Sequence, residues 1–212
     1  MDTQEKLFFH WLETRDRLVG KKLLSGKAAS ISIRWPDGKS MWFGGVNDVK
    51  PTVIELEMTH KTTIAAIHAD IYGARSDVGA IALGGGNFGN CLADFGGILP
   101  VVFDEQARHI GKMPTPIRSG KVLSHALSLG GNVVLVDREP VCFGMTCSRL
   151  ALNAELFEKC AKAYVLAVAT GGTVRQLPWL VRYIANGRLL KDQRRATQRF
   201  SEGKLPNETK GY

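Results

Sequence analysis

The stretch HADIYGARSDVGAIAL, from His68 to Leu83, contains the two elements on which the predicted fold rests. Its first half continues a helical pattern that begins at Thr62, returns apolar residues to one side and ends near Arg75. Its second half, from Val78 onward, is a compact apolar run of the kind found in strands that are buried on both faces. The stretch therefore predicts a helix that leads directly into a central buried strand.

The rest of the chain supplies further helices and strands of an α/β domain, and no internal repeat or interdomain linker separates them. Its 212 residues suit one domain over 1–212, with a basic polar tail from about residue 200. Apolar periodicity and turn residues predict a first helix at 3–19, a hairpin of 29–34 and 40–43, strands near 53–58, 98–103, 132–136 and 141–143, a short helix at 122–129, and long helices at 148–170 and 178–200.

The basic charge of the chain is concentrated at its C-terminal end. The net charge is +8, and from Arg182 onward the chain holds eight Lys or Arg against three Asp or Glu. An arginine-rich last helix is more typical of a solvated face or an oligomer contact than of a DNA reader, and no aromatic RNA-binding signature accompanies it. Nucleic acid is therefore not an expected partner.

The sequence favours a cytoplasmic protein that does not contact a membrane. No stretch approaches the roughly 20 apolar residues that span a bilayer. The start of the chain, MDTQEKLFFHWLETRDRL, carries acids where a secretory signal carries only basic charge. The four cysteines form no Cys-x-x-Cys pair and lack the histidine spacing of a zinc site, so reduced thiols are expected.

A glycine-rich loop follows the central strand. Gly84-x-Gly86-x-x-Gly89 matches the dinucleotide-binding fingerprint, but the residues beyond it, 90–99, show little helical period. A fingerprint loop should open a helix whose N-terminus holds the pyrophosphate. The sequence therefore predicts no nicotinamide or flavin cofactor. Neither a phosphate-binding Gly-Lys-Ser/Thr loop nor the Gly-x-Ser-x-Gly elbow of serine hydrolases is present.

Two histidines are candidates for chemistry, and each also has a structural interpretation. His68 lies on the apolar side of its predicted helix, which favours a hydrogen-bonded packing residue over a catalytic one. His109 ends the polar stretch from Phe103, which is typical either of a loop over a pocket or of a solvated helix.

Several segments, taken in order, resemble the class II aldolase/adducin family. Ser30 to Arg34 resembles the family's Asn-Ile-Ser-Val-Arg strand, and 68–81 is similar to its block of His, Tyr and Arg-Pro-Asp-Val. The segment 134–144 looks like the paired strands that carry an Asn-His-Gly, and 149–169 resembles the penultimate helix. The resemblance spans about residues 5 to 190 and implies a three-layer α/β/α domain with a central, mainly antiparallel sheet. It also implies a homotetramer.

The resemblance implies a substrate site for a small anion. Ser30 stands where the family usually has a substrate-binding asparagine, and Thr62 and Thr63 stand where it has a phosphate-binding Ser-Ser. The glycines Gly84, Gly85 and Gly86 would leave room for the substrate and offer it their backbone.

The family's metal site is the main departure. Two histidines of the central strand and a third in the later strand pair usually bind zinc, and here these positions are Leu83, Gly85 and Arg138. At the position of the family's acid/base Glu, this chain has Ile64. Leucine and glycine side chains offer no ligand atoms, and a guanidinium repels a cation. We therefore expect no metal and no other cofactor, with the fixed positive charge of Arg138 near the former metal position.

Two functions follow from these residues. The first is a metal-independent lyase or isomerase-type enzyme, of the aldolase, decarboxylase or epimerase kind, on a small phosphorylated or carboxylated substrate. Arg138 would then stabilise developing negative charge, and His109 or His125 would supply acid/base chemistry. The second is a catalytically inactive domain for binding or assembly, as in the head domain of adducin.

Overall fold

The computed structural model describes residues 2–58, 63–118 and 126–208. The strands are β1 (Ser25–Arg34), β2 (Ser40–Gly45), β3 (Thr52–Glu55), β4 (Ala80–Gly85), β5 (Val133–Val136) and β6 (Glu139–Gly144). The helices are α1 (Thr3–Gly20), α2 (Ile64–Ala74), α3 (Asn87–Cys91), α4 (Asp104–His109), α5 (Cys147–Ala169) and α6 (Trp179–Ser201), with 3-10 turns at Leu56–Met58 and Leu92–Phe95.

The six strands form one sheet in the order β3-β2-β1-β4-β6-β5. Each pair of neighbouring strands in this order is antiparallel. Ser30 of β1 lies opposite Gly45 of β2 on one side and Leu83 of β4 on the other. The predicted hairpin and the mainly antiparallel sheet are therefore confirmed.

Strand β4 divides the core between the two faces of the sheet. Successive side chains of a strand point to opposite faces. Ala80 and Ala82 join a buried cluster with α1 and α5, whereas Ile81 and Leu83 join a second buried cluster with α2. All six residues of β4 are buried. The arrangement is the predicted three-layer one, with helices on both sides of a central buried strand.

The two longest helices each contain 23 residues and bury one side only. Helix α5 buries Leu150, Phe157 and Cys160, and α6 buries its C-terminal half through Ala196 and Phe200. Among the described ranges of the chain, no helix combines the length and the apolar content needed to cross a membrane.

A buried ion pair ties the α2–β4 connection to the start of β5. The Arg75 guanidinium donates to both carboxylate oxygens of Asp77, at 2.6 and 2.8 Å, to the Gly131 carbonyl at 2.8 Å and to Asn132 Oδ1 at 3.0 Å. Asn132 in turn donates to the carbonyl of His109 at 2.8 Å. Both charges are thus paired and hydrogen-bonded, which is the condition under which an interior tolerates them.

The prediction of a strand at 98–103 is wrong. This segment lies outside the sheet, and its backbone groups find other partners: Val102 N–H donates to Gln106 Oε1 at 3.0 Å, and Leu177 N–H donates to the Val101 carbonyl at 2.9 Å. The apolar run reflects burial of Leu99 and Val101, not strand pairing. The predicted strand at 53–58 ends at Glu55, and residues 122–125 of the predicted helix at 122–129 lie outside the described residues.

Substitution Arg75→Met should lower the free energy of unfolding by about 3–5 kcal/mol, because it leaves the buried carboxylate of Asp77 without its counter-charge. Urea denaturation at pH 7 measures this. The matched control is Arg17→Met, which removes an exposed arginine that pairs with Glu155 at 2.7 Å. Its expected cost is about 0–1 kcal/mol. Equal costs for the two variants would show that burial of the Arg75 pair is not what matters.

Candidate functional site

A cavity of about 620 Å³ opens at the ends of β1, β2 and β3 beside the first turn of α2. We call it the strand-end cavity. Two of the predicted substrate-binding residues, Ser30 and Thr63, line it together. Its other lining residues include Gly26, Lys27, Gly45, Asp48 and Ile64. Thr62, the predicted neighbour of Thr63, lies outside the described residues.

Two charged side chains and a helix N-terminus lie at this cavity. The exposed side chain of Lys27 brings an ammonium group to its lining. Helix α2 begins at Ile64 and has no acidic residue in its first turn, so the partial positive charge of its N-terminus is not offset there. The one carboxylate on the lining, Asp48, accepts a hydrogen bond from Gly45 N–H at 2.7 Å.

Ser30 belongs to a buried chain of hydroxyls around His68. Ser30 Oγ lies 3.0 Å from His68 Nε2, Ser32 Oγ lies 2.8 Å from His68 Nδ1, and Ser32 Oγ lies 2.9 Å from the Tyr72 hydroxyl. Burial lowers the pKa of His68 to about 3 and raises the pKa of Tyr72, so both side chains are neutral. His68 is the buried, hydrogen-bonded residue that the sequence predicted, and it fixes the Ser30 hydroxyl in the cavity wall.

The glycine-rich loop after β4 is packed against the protein's own side chains. Gly84 has a φ of +112°, and a Cβ there would lie 2.7 Å from the Ser25 carbonyl oxygen. The Gly85 carbonyl accepts hydrogen bonds from Ser25 Oγ at 2.6 Å and from Asn90 Nδ2 at 3.3 Å. A Cβ at Gly85 would lie 2.8 Å from both Asn90 and Pro140.

An internal carboxylate occupies the N-terminus of α3. Glu158 of α5 accepts hydrogen bonds from Phe88 N–H at 2.9 Å and from Gly89 N–H at 2.8 Å. A Cβ at Gly86 would lie 2.4 Å from the Glu158 carboxyl carbon. The loop needs glycine because Glu158 approaches its backbone, which explains the fingerprint spacing without a dinucleotide.

The residues at the family's metal-ligand positions do not fit a metal ion. Leu83 packs in the apolar cluster on the α2 face, and Gly85 is enclosed by Asn90 and Pro140. In residues 2–58, 63–118 and 126–208, no three His, Cys, Asp or Glu side chains come together as a metal-binding group. This corner of the fold holds packed side chains instead of converging ligand atoms.

Arg138 lies on the β5–β6 turn with a φ of +75° and forms an ion pair with Asp94. The two side chains are 68% and 65% exposed, so the pair contributes at most about 1 kcal/mol. Arg138 is not on the lining of the strand-end cavity. Its predicted catalytic role stays a prediction.

Glu139, the next residue, lies close to Gly26, a residue of the cavity lining. A Cβ at Gly26 would be 3.3 Å from Glu139 Oε2. That oxygen is buried and has no hydrogen-bond partner in the described part of the chain. Since Gly26 lines the cavity, this carboxylate oxygen lies close to the lining.

His109 ends α4 and is buried on another side of the molecule. Its Nδ1 lies 2.6 Å from the Arg149 guanidinium. Burial, together with the positive charges of Arg149 and Arg108, lowers its pKa to about 4. His109 does not line the strand-end cavity, and His125, the alternative acid/base residue, lies outside the described residues.

Sequence reasoning missed Lys27 and Glu158. Lys27 was overlooked because the hairpin was predicted from Ala29, whereas β1 begins at Ser25. The contact of Glu158 with the glycine loop joins residues about seventy positions apart, and no local pattern carries that information.

Comparisons with solved structures identify the fold. YgbL of Klebsiella pneumoniae superposes with a TM-score of 0.72 at 16% identity, over 87% of this chain and 100% of that one. The L-fuculose 1-phosphate aldolase of Glaciozyma antarctica PI12 gives 0.67 at 15% identity, over 93% and 90%. An aldolase II superfamily protein of Pseudomonas syringae gives 0.67 at 12% identity, over 98% of both chains. The chain has the class II aldolase fold, as predicted.

Sequence comparison alone does not reach these proteins. No protein-family model matches the chain, and no curated protein matches it. At identities of 12–16% the structural likeness establishes the fold and not the activity.

Substitution His68→Gln should reduce the loss of stability in mild acid. Since the folded pKa of His68 lies near 3 and the unfolded value near 6.5, only the unfolded chain takes up this proton between pH 7 and pH 5. The free energy of unfolding of the wild type therefore decreases as the pH is lowered from 7 to 5, and His68 accounts for about 2 kcal/mol of that decrease. Urea denaturation at the two pH values measures it. His10→Gln, at an exposed histidine of α1, is the control and should keep the wild-type loss; an unchanged loss in His68→Gln would contradict the prediction.

Proposed function

We propose that this chain is a divergent class II aldolase/adducin-type protein that binds a small phosphorylated or carboxylated anion in the strand-end cavity, without a metal ion. The observation that carries the proposal is the meeting of Ser30, Thr63 and Lys27 around one cavity at the start of α2. The hydroxyl of Ser30 and the ammonium of Lys27 are groups that bind oxyanions, and a helix N-terminus adds positive potential. A volume of about 620 Å³ suits a small metabolite.

The proposal that no metal ion takes part is supported by the packing at the positions where the resemblance implies metal ligands. Leu83 is committed to the core, and the space beside Gly85 is taken by Asn90 and Pro140. Any chemistry in the cavity then depends on fixed charges and protein acids and bases.

Lyase or isomerase-type chemistry on the bound anion is the first candidate activity. It requires a group that moves a proton and a positive charge that stabilises the resulting enolate. The Ser30–His68 pair and the carboxylates of Asp48, on the lining, and Glu139, next to Gly26, are groups at the cavity that could move a proton, and Lys27 supplies a charge. Arg138 and His109, the catalytic residues predicted from sequence, remain separate proposals because neither lines the cavity.

A catalytically inactive binding domain is the second candidate, and a different observation favours it. Ile64, which replaces the family's acid/base Glu, is exposed at the cavity, and no carboxylate takes that position. A protein that only binds or assembles would need the anion cavity but not the proton-transfer residue, which is the combination proposed here.

A homotetramer is also proposed from the resemblance to the family. The first turns of α6 expose Trp179, Leu180, Tyr183 and Ile184, with 69% of Trp179 and 72% of Tyr183 accessible. A contiguous apolar helix face of this kind is typical of a protein–protein contact.

Substitution Lys27→Ala should weaken the binding of inorganic phosphate roughly tenfold, because it removes one charge-assisted contact to the anion. Isothermal titration calorimetry at low ionic strength measures the affinity, followed by a panel of sugar phosphates and small carboxylates. Lys191→Ala, at an exposed lysine of α6, is the charge-matched control and should bind as the wild type does.

The same titration with Arg138→Ala tests the alternative location of the anion site, at the β5–β6 turn. Loss of binding in Arg138→Ala and not in Lys27→Ala would move the anion site to the β5–β6 turn and overturn the strand-end proposal. Stoichiometric metal in the purified protein, measured by elemental analysis, would contradict the metal-free proposal. Cleavage or isomerisation of any bound sugar phosphate separates the enzyme from the inactive binding domain.

The mass measured by light scattering should be about four times the 23.2 kDa of one chain. Substitution of both Trp179 and Tyr183 by serine should lower it, since it removes the apolar face of α6. Val49→Ser, at a residue that is 88% exposed away from this face, is the control and should leave the mass unchanged. A monomeric wild type would contradict the tetramer.

A further inference from the structure

A second cavity, of about 420 Å³, lies between the start of α5, the C-terminal half of α6 and the segment that follows it. We call it the arginine cavity. It is lined by Arg149, Arg195 and Arg199, with Thr146, Asp192 and Glu202 among the other lining residues. It shares no lining residue with the strand-end cavity.

Each arginine is positioned by different contacts. Arg149 is 4% exposed and lies in the first turn of α5, beside His109. Arg199 donates from Nε to the Leu205 carbonyl at 3.1 Å, a contact that folds the C-terminal segment over the cavity. Arg195 is 63% exposed at the rim, 4.0 Å from Asp192.

Positive charge is in excess around this cavity. Its two lining carboxylates already have partners: Asp192 accepts from Arg108 at 3.0 Å, and Glu202 accepts from Lys204 at 3.0 Å. Glu208 also acts on Arg149 by its charge. Among the described residues, the lining carries three arginines and two carboxylates, and each of the two carboxylates also pairs with a cation from outside the lining.

The backbone at the cavity adds to this potential. The 23-residue helix α5 begins at the cavity, and its first turn has no acidic residue. Thr146 caps that end by accepting a hydrogen bond from Arg149 N–H at 3.2 Å. The partial positive charge of the helix N-terminus thus points to the same space as the guanidinium groups.

We propose that the arginine cavity is a second binding site, for a compact oxyanion of two or more negative charges such as a phosphate ester or a polycarboxylate. Arg195 and Arg199 bind the anion directly, since a guanidinium presents paired N–H groups that match the oxygens of phosphate and carboxylate. Buried Arg149 contributes charge at the base of the cavity. The inference is independent of the function proposed for the strand-end cavity.

The test is calorimetric titration with inorganic phosphate, and in parallel with citrate, in the Lys27→Ala background, where binding at the strand-end cavity is expected to be roughly tenfold weaker. The double substitution Arg195→Ala/Arg199→Ala should weaken binding roughly tenfold or more, because two charge-assisted contacts are lost. The control is Arg188→Ala/Arg194→Ala, which removes two exposed arginines of the same helix outside the cavity and keeps the net charge change equal.

Four results decide the proposal. Loss of binding confined to the Arg195/Arg199 variant supports it, and preference for phosphate or citrate identifies the class of ligand. Equal weakening in both double variants, or no binding of either probe in the Lys27→Ala background, overturns it. Because Arg199 also holds the C-terminal segment, Arg195→Ala alone is measured too; this exposed side chain can be removed without disturbing the fold, and unchanged affinity there would also overturn the proposal.

Discussion

Strand β4 has no face in contact with solvent, since Ala80 and Ala82 pack toward α1 and α5 while Ile81 and Leu83 pack toward α2. This double burial sets the sheet order, because β1 and β6 must pair along its two edges to satisfy its backbone. The end of β4 then delivers the glycine loop beside Ser25, and the neighbouring strand β1 carries Lys27 and Ser30 to the cavity. Both the packed corner around Gly85 and the open strand-end cavity follow from where this strand ends.

The local sequence pattern was sufficient to predict the helices and strands whose apolar residues recur at regular intervals. The helix before β4, the hairpin of β1 and β2, and helices α5 and α6 each place apolar residues at a regular interval, so their periodicity predicts them. The segment 98–103 shows the limit, since its apolar residues signal burial but not which backbone groups will pair with them. Pairing is a property of the tertiary structure.

Residues of the candidate site could be predicted only at positions that match those of the class II aldolase/adducin family in sequence. Ser30 and Thr63 do meet at one cavity, as expected from neighbouring elements of the fold. The partners that decide the chemistry come from distant parts of the chain: Glu158 reaches the glycine loop, Arg149 reaches His109 and Asp94 reaches Arg138. In each of these contacts, a group that the sequence presents as free is already bound by another side chain of the protein. The sequence alone therefore overstates the number of reactive side chains.

The packing around Gly85 also bears on how such a chain can change. A histidine placed at position 85 would meet Asn90 and Pro140, and one at position 83 would enter the apolar cluster under α2. Each substitution would disturb the packing around it. Selection acts on single substitutions, so each intermediate would be less stable before any metal could bind. The packing of Leu83 and Gly85 therefore acts against building a metal centre at this corner by stepwise substitution.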